Sequence, residues 1–170
     1  MKIFLIGYMG CGKSAVGKSL SKRLNVGFID FDDYIEKEFG KSISEIFSNE
    51  GEEKFREIEH MYLKKLIYKD NIVISLGGGT PCFNNNIELI NMNGISFYLE
   101  IQVDVLVKRL IEAERKRPLI DGMNEVDLKY FIEANLEKRA PTYKMANHTL
   151  KIDMQSVDDI VQTIYLMIEK

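Results

Sequence analysis

Gly7-Tyr8-Met9-Gly10-Cys11-Gly12-Lys13-Ser14 is the stretch that decides the fold. It has the spacing G-x-x-x-x-G-K-[ST], in which glycines let successive backbone N–H groups point at phosphate oxygens. The apolar run Ile3-Phe4-Leu5-Ile6 precedes it, and apolar residues recur at helical spacing over residues 16–24. We therefore expect a buried strand, a phosphate-binding loop and a helix that begins at Lys13.

This loop predicts a site for a nucleoside triphosphate and magnesium. Lys13 is long enough to reach the β- and γ-phosphates, and Ser14 offers a hydroxyl to Mg²⁺. The positive end of the following helix adds to the attraction for phosphate. The predicted phosphate-binding residues are Gly10, Cys11, Gly12, Lys13, Ser14 and Ala15.

Composition excludes several classes of protein. The 170 residues, with 45% hydrophobic and 29% charged content, fit one globular domain over residues 1–170. A net charge of −3 gives no general attraction to nucleic acid or to an anionic membrane, and no apolar run is long enough to cross a bilayer. Two cysteines, Cys11 and Cys82, are too few for a disulfide framework, which favours a reduced, cytoplasmic location. We also expect a monomer.

Short apolar runs alternate with helical patterns along the chain. The runs lie near residues 3, 27, 72, 95 and 148. Alternation of this kind predicts an α/β fold with three layers, α/β/α, around a five-stranded parallel sheet.

Two of these strands are followed by residues that suit a ligand crevice. Asp30, Asp32 and Asp33 follow the second strand, and acids at the carboxyl end of a parallel strand point toward the crevice. Gly77-Gly78-Gly79 follows Ile72-Val73-Ile74-Ser75-Leu76. The glycines fit either a flexible turn or a backbone that approaches a ligand closely.

The longest helical pattern contains a charged residue on its apolar stripe. Glu59 lies among Phe55, Ile58 and Tyr62 at 3.6-residue spacing, with Arg56 three positions earlier. A carboxylate that faces a core must be paired or functional, whereas an exposed one would form a solvated edge pair. Both interpretations stay open on spacing alone.

Two later segments carry basic residues. Arg115-Lys116-Arg117 precedes Pro118 where the helical pattern stops, which fits a mobile flap over phosphates or a solvated charge run; its position favours the flap. A further helix runs to Lys138-Arg139-Ala140-Pro141, and we expect it to end there, with Arg139 at its end.

Taken together, these elements resemble the shikimate kinase family, a small-molecule branch of the P-loop kinases with the nucleoside-monophosphate-kinase-like fold. The resemblance covers nearly the whole chain. It rests on the phosphate loop, Asp30-Phe31-Asp32, Phe55-Arg56-Glu57-Ile58-Glu59, Gly77-Gly78-Gly79, Arg117-Pro118-Leu119 and Lys138-Arg139-Ala140-Pro141-Thr142-Tyr143.

The resemblance implies transfer of the γ-phosphate of ATP to the 3-hydroxyl of shikimate, in aromatic amino acid and chorismate biosynthesis, with one Mg²⁺ per subunit. It makes Lys13, Asp32 and Arg117 the catalytic residues, with Asp32 either a base or an anchor for the hydroxyls. Arg56 and Arg139 would bind the carboxylate. The remaining acceptor-binding residues would be Phe47, Phe55, Glu59, Gly77, Gly78 and Gly79.

On the nucleotide side, the resemblance adds Arg109, Arg117 and Gln155 to the phosphate loop, with Ser14 on the metal and Asp30 near it through water. The turn Asp153-Met154-Gln155-Ser156 lacks the arginine that some members carry. The implied organisation is a core of residues 1–33, 61–111 and 125–170, a shikimate-binding helical subdomain at 34–60 and a mobile lid at 112–124.

Three other classes fit less well. A gluconate or nucleoside-monophosphate kinase would share Lys13 and Ser14 but would not need Arg56, the three glycines and Arg139 around a ring carboxylate. A GTP-dependent switch needs an N-K-x-D motif, and no Asn in this chain is followed by Lys. An ATPase module of a transporter would be much longer.

Overall fold

A computed structural model of the chain describes residues 1–113 and 120–169. Arg117 lies outside these described residues, together with the rest of residues 114–119 of the predicted lid. No helix in the two described ranges is both long and apolar enough to cross a membrane.

Five parallel strands form a single sheet, which confirms the predicted fold class. They are β1 (Lys2–Ile6), β2 (Gly27–Asp30), β3 (Ile72–Ser75), β4 (Ile95–Glu100) and β5 (His148–Lys151), in the order β2-β3-β1-β4-β5. The central strands are buried on both faces, and for this reason their sequences are continuous apolar runs.

Helices cover both faces of this sheet. They are α1 (Lys13–Leu24), α2 (Phe31–Phe39), α3 (Ile43–Leu66), α4 (Asn86–Asn93), α5 (Val103–Ile111), α6 (Glu125–Tyr143) and α7 (Val157–Ile168), and a short 3₁₀ turn spans Thr80–Cys82. Ile3 and Leu5 of β1 belong to one apolar cluster with α1, α5 and α7. Phe4 and Ile6 belong to the other, with α2, α3 and α4, because successive strand residues point to opposite faces.

The functional loops meet at the carboxyl edge of the sheet. Both Leu5 of β1 and Asp30 of β2 lie level with Ser75 of β3. The phosphate loop, the acids after β2 and the glycines after β3 therefore leave the sheet at the same height. Ligands of open α/β sheets bind at this edge.

Two helix boundaries bear on the site, and one of them differs from the prediction. Helix α2 begins at Phe31, so Asp32 and Asp33 lie in its first turn. Acidic side chains there interact favourably with the positive end of the helix dipole. The prediction that α6 ends before Pro141 is wrong, since it continues to Tyr143 with Pro141 inside. Proline removes one backbone donor, yet the last turn is still closed by the bond from Lys144 N to Ala140 O. Arg139 consequently lies within a helix and not at its end.

Candidate active site

The phosphate loop carries its lysine on the inside. Gly12 has φ of 101°, a conformation that other residues rarely adopt, and α1 begins directly after it, as predicted. Nζ of Lys13 donates to the carbonyl oxygens of Gly7 and Tyr8 at 2.8 and 3.0 Å. The side chain is only 8% exposed, so its charge lies within the loop where phosphates are expected.

The other predicted loop residues contribute backbone more than side chains. Cys11 is 1% exposed and belongs to the apolar cluster on the α1 face of the sheet. A Cβ atom at Gly10 would lie 2.9 Å from Cδ2 of Leu110, so the loop packs directly on α5. Ala15 is exposed in the first turn of α1.

Ser14 and Asp30 are brought together by β1 and β2. The hydroxyl of Ser14 donates to Oδ2 of Asp30 at 2.5 Å. Hydroxyl and carboxylate oxygens are the ligands that Mg²⁺ prefers, and Mg²⁺ usually takes few protein ligands beside phosphates and waters. The pair therefore fits the predicted metal.

Arg109 links α5 to the phosphate loop. Its Nη1 donates to the carbonyl oxygen of Cys11 at 3.3 Å. Arg109 also lines an open cleft of about 420 Å³ together with Met154, which is 94% exposed. Gln155 is exposed beside Met154 but does not line this cleft. Sequence reasoning identified the turn but not Met154.

The three glycines after β3 make room for charged side chains. A Cβ atom at Gly77 would lie 2.6 Å from Oδ1 of Asp32, and one at Gly79 would lie 2.6 Å from Nη1 of Arg56. Neither glycine has positive φ, so close approach and not backbone conformation requires them. The three glycines are therefore packed against charged side chains of the same chain, which does not fit a flexible turn.

Gly78 lies between the acceptor residues and the phosphate loop. A Cβ atom there would be 3.5 Å from the backbone N of Met9 and 3.7 Å from Nη1 of Arg139. The hydroxyl of Tyr143 donates to the carbonyl oxygen of Gly78, and the Arg139 guanidinium lies 5.8 Å from the centre of the Tyr8 ring. One glycine thus joins the predicted nucleotide and acceptor sites.

Aromatic rings surround the Arg56 guanidinium. Its Cζ lies 4.2 Å from the ring centre of Phe83, 5.2 Å from that of Phe55 and 5.9 Å from that of Phe47. Phe47 and Phe55 also contact each other, with ring centres 4.7 Å apart. These contacts confine the guanidinium beside Gly79. Phe83 was not predicted, because nothing in its sequence context distinguishes it from a core residue.

Glu59 is buried and paired. Its side chain is 1% exposed, and Oε2 accepts from Nη1 of Arg56 at 2.6 Å. Oε1 accepts from the hydroxyl of Thr80 at 2.5 Å. Burial raises the pKa of Glu59, while Arg56 and the Thr80 hydroxyl act in the opposite direction. The alternative of a solvated edge pair is wrong. Sequence reasoning missed Thr80, although its position directly after Gly79 is a usable signal.

This arrangement presents two anion-binding regions at one edge of the sheet. The phosphate loop offers backbone amides, Lys13 and the start of α1, whereas Arg56 beside Gly79 and Arg139 beside Gly78 offer planar guanidinium groups. Phosphoryl transfer depends on positioning and charge neutralisation more than on covalent chemistry. The cleft is therefore suited to transfer between a nucleotide and a small anionic acceptor.

Comparisons with known proteins agree with this chemistry. A family model described as shikimate kinase matches residues 9–169. A shikimate kinase of Azobacteroides pseudotrichonymphae is 46% identical over 164 residues, which are 96% of each chain.

Solved structures are similar over the same length. The crystal structure of a shikimate kinase from Bacteroides thetaiotaomicron has a TM-score of 0.95 at 41% identity, with 100% of this chain and 99% of that chain covered. A shikimate kinase from Acinetobacter baumannii, solved in complex with shikimate, has a TM-score of 0.89 at 32% identity, with 98% and 92% covered.

Proposed function

The chain belongs to the shikimate kinase family, and from this premise we propose that its cleft transfers the γ-phosphate of ATP to the 3-hydroxyl of shikimate. It is an ATP-dependent enzyme that phosphorylates shikimate in aromatic biosynthesis. The products are shikimate 3-phosphate and ADP. The residue assignments depend on the position of Gly78. A Cβ atom added there would lie 3.5 Å from the backbone N of Met9 in the phosphate loop and 3.7 Å from Nη1 of Arg139.

On the donor side, the phosphate loop binds the β- and γ-phosphates through backbone amides and Lys13. Lys13 exchanges its bonds to the carbonyls of Gly7 and Tyr8 for bonds to phosphate oxygens. Ser14 directly, and Asp30 through water, would hold the magnesium ion, which would supply positive charge against the phosphates. Arg109 lies beside the nucleotide, with Gln155 in the turn near the base. Arg117, outside the described residues, neutralises charge on the phosphoryl group in transfer.

On the acceptor side, Arg56 and Arg139 bind the carboxylate of shikimate, with backbone amides of Gly78 and Gly79. Charge-assisted hydrogen bonds of this kind contribute roughly 1.5–3 kcal/mol each. Phe47 and Phe55 line the apolar side of the ring, and Glu59 holds Arg56. Gly77 makes room for the Asp32 carboxylate.

Asp32 orients the 3-hydroxyl toward the γ-phosphate. In a loose transition state, little proton transfer to a base is needed, so Asp32 acts chiefly as an anchor for the hydroxyl. It also receives the hydroxyl proton when the new P–O bond has formed.

We propose that residues 34–60 form the shikimate-binding subdomain and residues 112–124 the lid, around the core of 1–33, 61–111 and 125–170. Lid closure excludes water, which limits ATP hydrolysis. We also propose that the enzyme acts as a monomer, since the donor and acceptor residues come from one chain. The free thiols of Cys11 and Cys82 and the use of ATP support a cytoplasmic location.

A coupled ADP-release assay with purified protein, ATP and Mg²⁺ tests the proposal. Shikimate, gluconate, UMP and CMP are compared as acceptors at matched concentrations. Of the four acceptors, we expect only shikimate to be turned over. Comparable turnover with gluconate or a nucleoside monophosphate would overturn the acceptor assignment.

A further inference from the structure

The Arg56 guanidinium is already paired with two carboxylates. Nη1 donates to Glu59, while Nε and Nη2 both donate to Oε1 of Glu52, at 3.3 and 2.9 Å. One positive charge therefore faces two negative charges, and the side of the fork formed by Nε and Nη2 is occupied. An acceptor carboxylate that binds Arg56 through Nε and Nη2 would have to replace Glu52.

The two glutamates differ in their freedom to move. Glu59 is 1% exposed and is fixed by Thr80, so removing it from Arg56 would leave a buried charge unpaired. Glu52 is 58% exposed, one residue after the break in α3 at Gly51, and its carboxylate can turn into solvent at little cost. Glu52 is thus the partner that can leave.

Arg56 keeps its position when Glu52 leaves. The ring of Phe83 lies 4.2 Å from Cζ, Glu59 still accepts from Nη1, and Asn84 donates to the backbone carbonyl oxygen of Arg56 at 3.1 Å. The guanidinium is therefore presented to an incoming anion without rearrangement of the helix.

We propose that Glu52 is a built-in competitor that occupies Arg56 and is displaced by the carboxylate of the acceptor. This inference rests on the proposed function, because it takes Arg56 as a ligand of shikimate. Glu52 makes the site selective: only a ligand whose own anion replaces the Glu52 carboxylate recovers the broken ion pair. Neutral ring polyols, which cannot replace it, gain nothing from Arg56.

The test compares Glu52→Gln with Glu53→Gln, which removes the same charge from the next residue. Glu53 is exposed and, among the described residues, makes no ion pair with Arg56. Shikimate binding is measured by isothermal titration calorimetry without nucleotide, and the methyl ester of shikimate serves as a ligand of the same shape without the negative charge. Thermal unfolding of each variant confirms that it is folded.

We expect Glu52→Gln to lower the Kd for shikimate about two- to five-fold, the range of an exposed ion pair, and Glu53→Gln to leave it unchanged. The gain should disappear with the methyl ester. Equal effects of the two variants, or a gain that persists with the ester, would overturn the competitor role. Weaker shikimate binding by Glu52→Gln would overturn it too, and would make Glu52 a support of Arg56. If the unaltered protein neither binds nor phosphorylates shikimate, the proposed function itself fails.

Discussion

At the scale of single residues, the two anion-binding regions hold their cations in different ways. Lys13 is held by neutral carbonyl oxygens, which phosphate can replace without leaving a charge unpaired. Arg56 is held by ionised carboxylates and stacked on Phe83. A flexible lysine suits a phosphate that changes during the reaction, whereas a fixed guanidinium suits a carboxylate that only has to be oriented.

Lys13→Met should reduce kcat about 10²–10³-fold, the usual effect of removing one donor that stabilises transition-state charge. The folded state should persist, since the methionine chain fills the same space. Steady-state ADP release and thermal unfolding measure the two effects. Lys18→Met is the control, because Lys18 is an exposed residue of the same helix. A kcat near that of the unaltered enzyme would remove Lys13 from catalysis.

Thr80→Val should raise the KM for shikimate on the order of ten-fold, the equivalent of about 1.4 kcal/mol, and leave the KM for ATP unchanged. The reason is that Oε1 of Glu59 loses its buried donor, and Glu59 then positions Arg56 less well. Thr80→Ser keeps the hydroxyl and should behave as the unaltered enzyme.

Ser96→Ala is the matched control for this loss of a buried hydroxyl. Ser96 is also 0% exposed and donates to Asn91 at 2.6 Å, but it lies on β4, away from Arg56. We expect it to lower stability without changing either KM. Equal rises in both KM values for Thr80→Val would show a general disturbance and contradict the positioning role.

At the scale of elements, the sequence pattern predicted the start of α1 correctly and the end of α6 wrongly. The start at Lys13 was predicted because the loop glycines act locally, and Ser42 and Ser156 cap the starts of α3 and α7 by equally local hydrogen bonds. The end of α6 was not predicted, because the packing of the Tyr143 side chain, which is 0% exposed, outweighs the loss of one backbone donor at Pro141. That difference affects function, since it places Arg139 on a rigid helix.

Ser42→Ala should lower the melting temperature by a few degrees at pH 7, because it removes the capping box at the start of α3. The hydroxyl and backbone N–H of Ser42 lower the pKa of Glu45 below its usual 4.5. A lowered folded-state pKa stabilises the native state above pH 4.5, and this contribution is lost as the pH falls through the folded-state value. The difference between the variant and the unaltered protein should therefore shrink below pH 4.5.

Thermal unfolding between pH 3 and pH 7 measures this dependence, with Ser44→Ala as an exposed control in the same turn. A difference that stays constant across this range would show that the carboxylate plays no part in the cap.

At the scale of the whole molecule, the register of the sheet assembles the site. The carboxyl ends of β1, β2 and β3 lie at one level, so three separate sequence motifs meet in one crevice. The sequence predicts the motifs and their edge. It does not predict the contacts between them, such as that of Phe83 with Arg56 and that of Tyr143 with Gly78, because these contacts join segments with no shared local pattern.

This architecture makes the two substrate regions separately testable in the intact protein. A ligand present at a hundred times its Kd stabilises the folded state by about 2.7 kcal/mol, which corresponds to roughly 5–10 °C in melting temperature for a chain of this size. We expect Mg²⁺–ATP and shikimate each to produce such a shift. Arg139→Ala should lose the shift caused by shikimate and keep that caused by ATP, because we assign Arg139 to the acceptor carboxylate and Lys13 to the phosphates.

Lys13→Met should show the opposite pattern, with the shikimate shift kept and the ATP shift reduced. Differential scanning fluorimetry with each ligand alone measures all four combinations, so each variant serves as the control for the other. Loss of both shifts in one variant, with its unliganded melting temperature unchanged, would mean that the cleft binds its ligands as a single unit. The assignment of Lys13 to the donor and Arg139 to the acceptor would then be wrong.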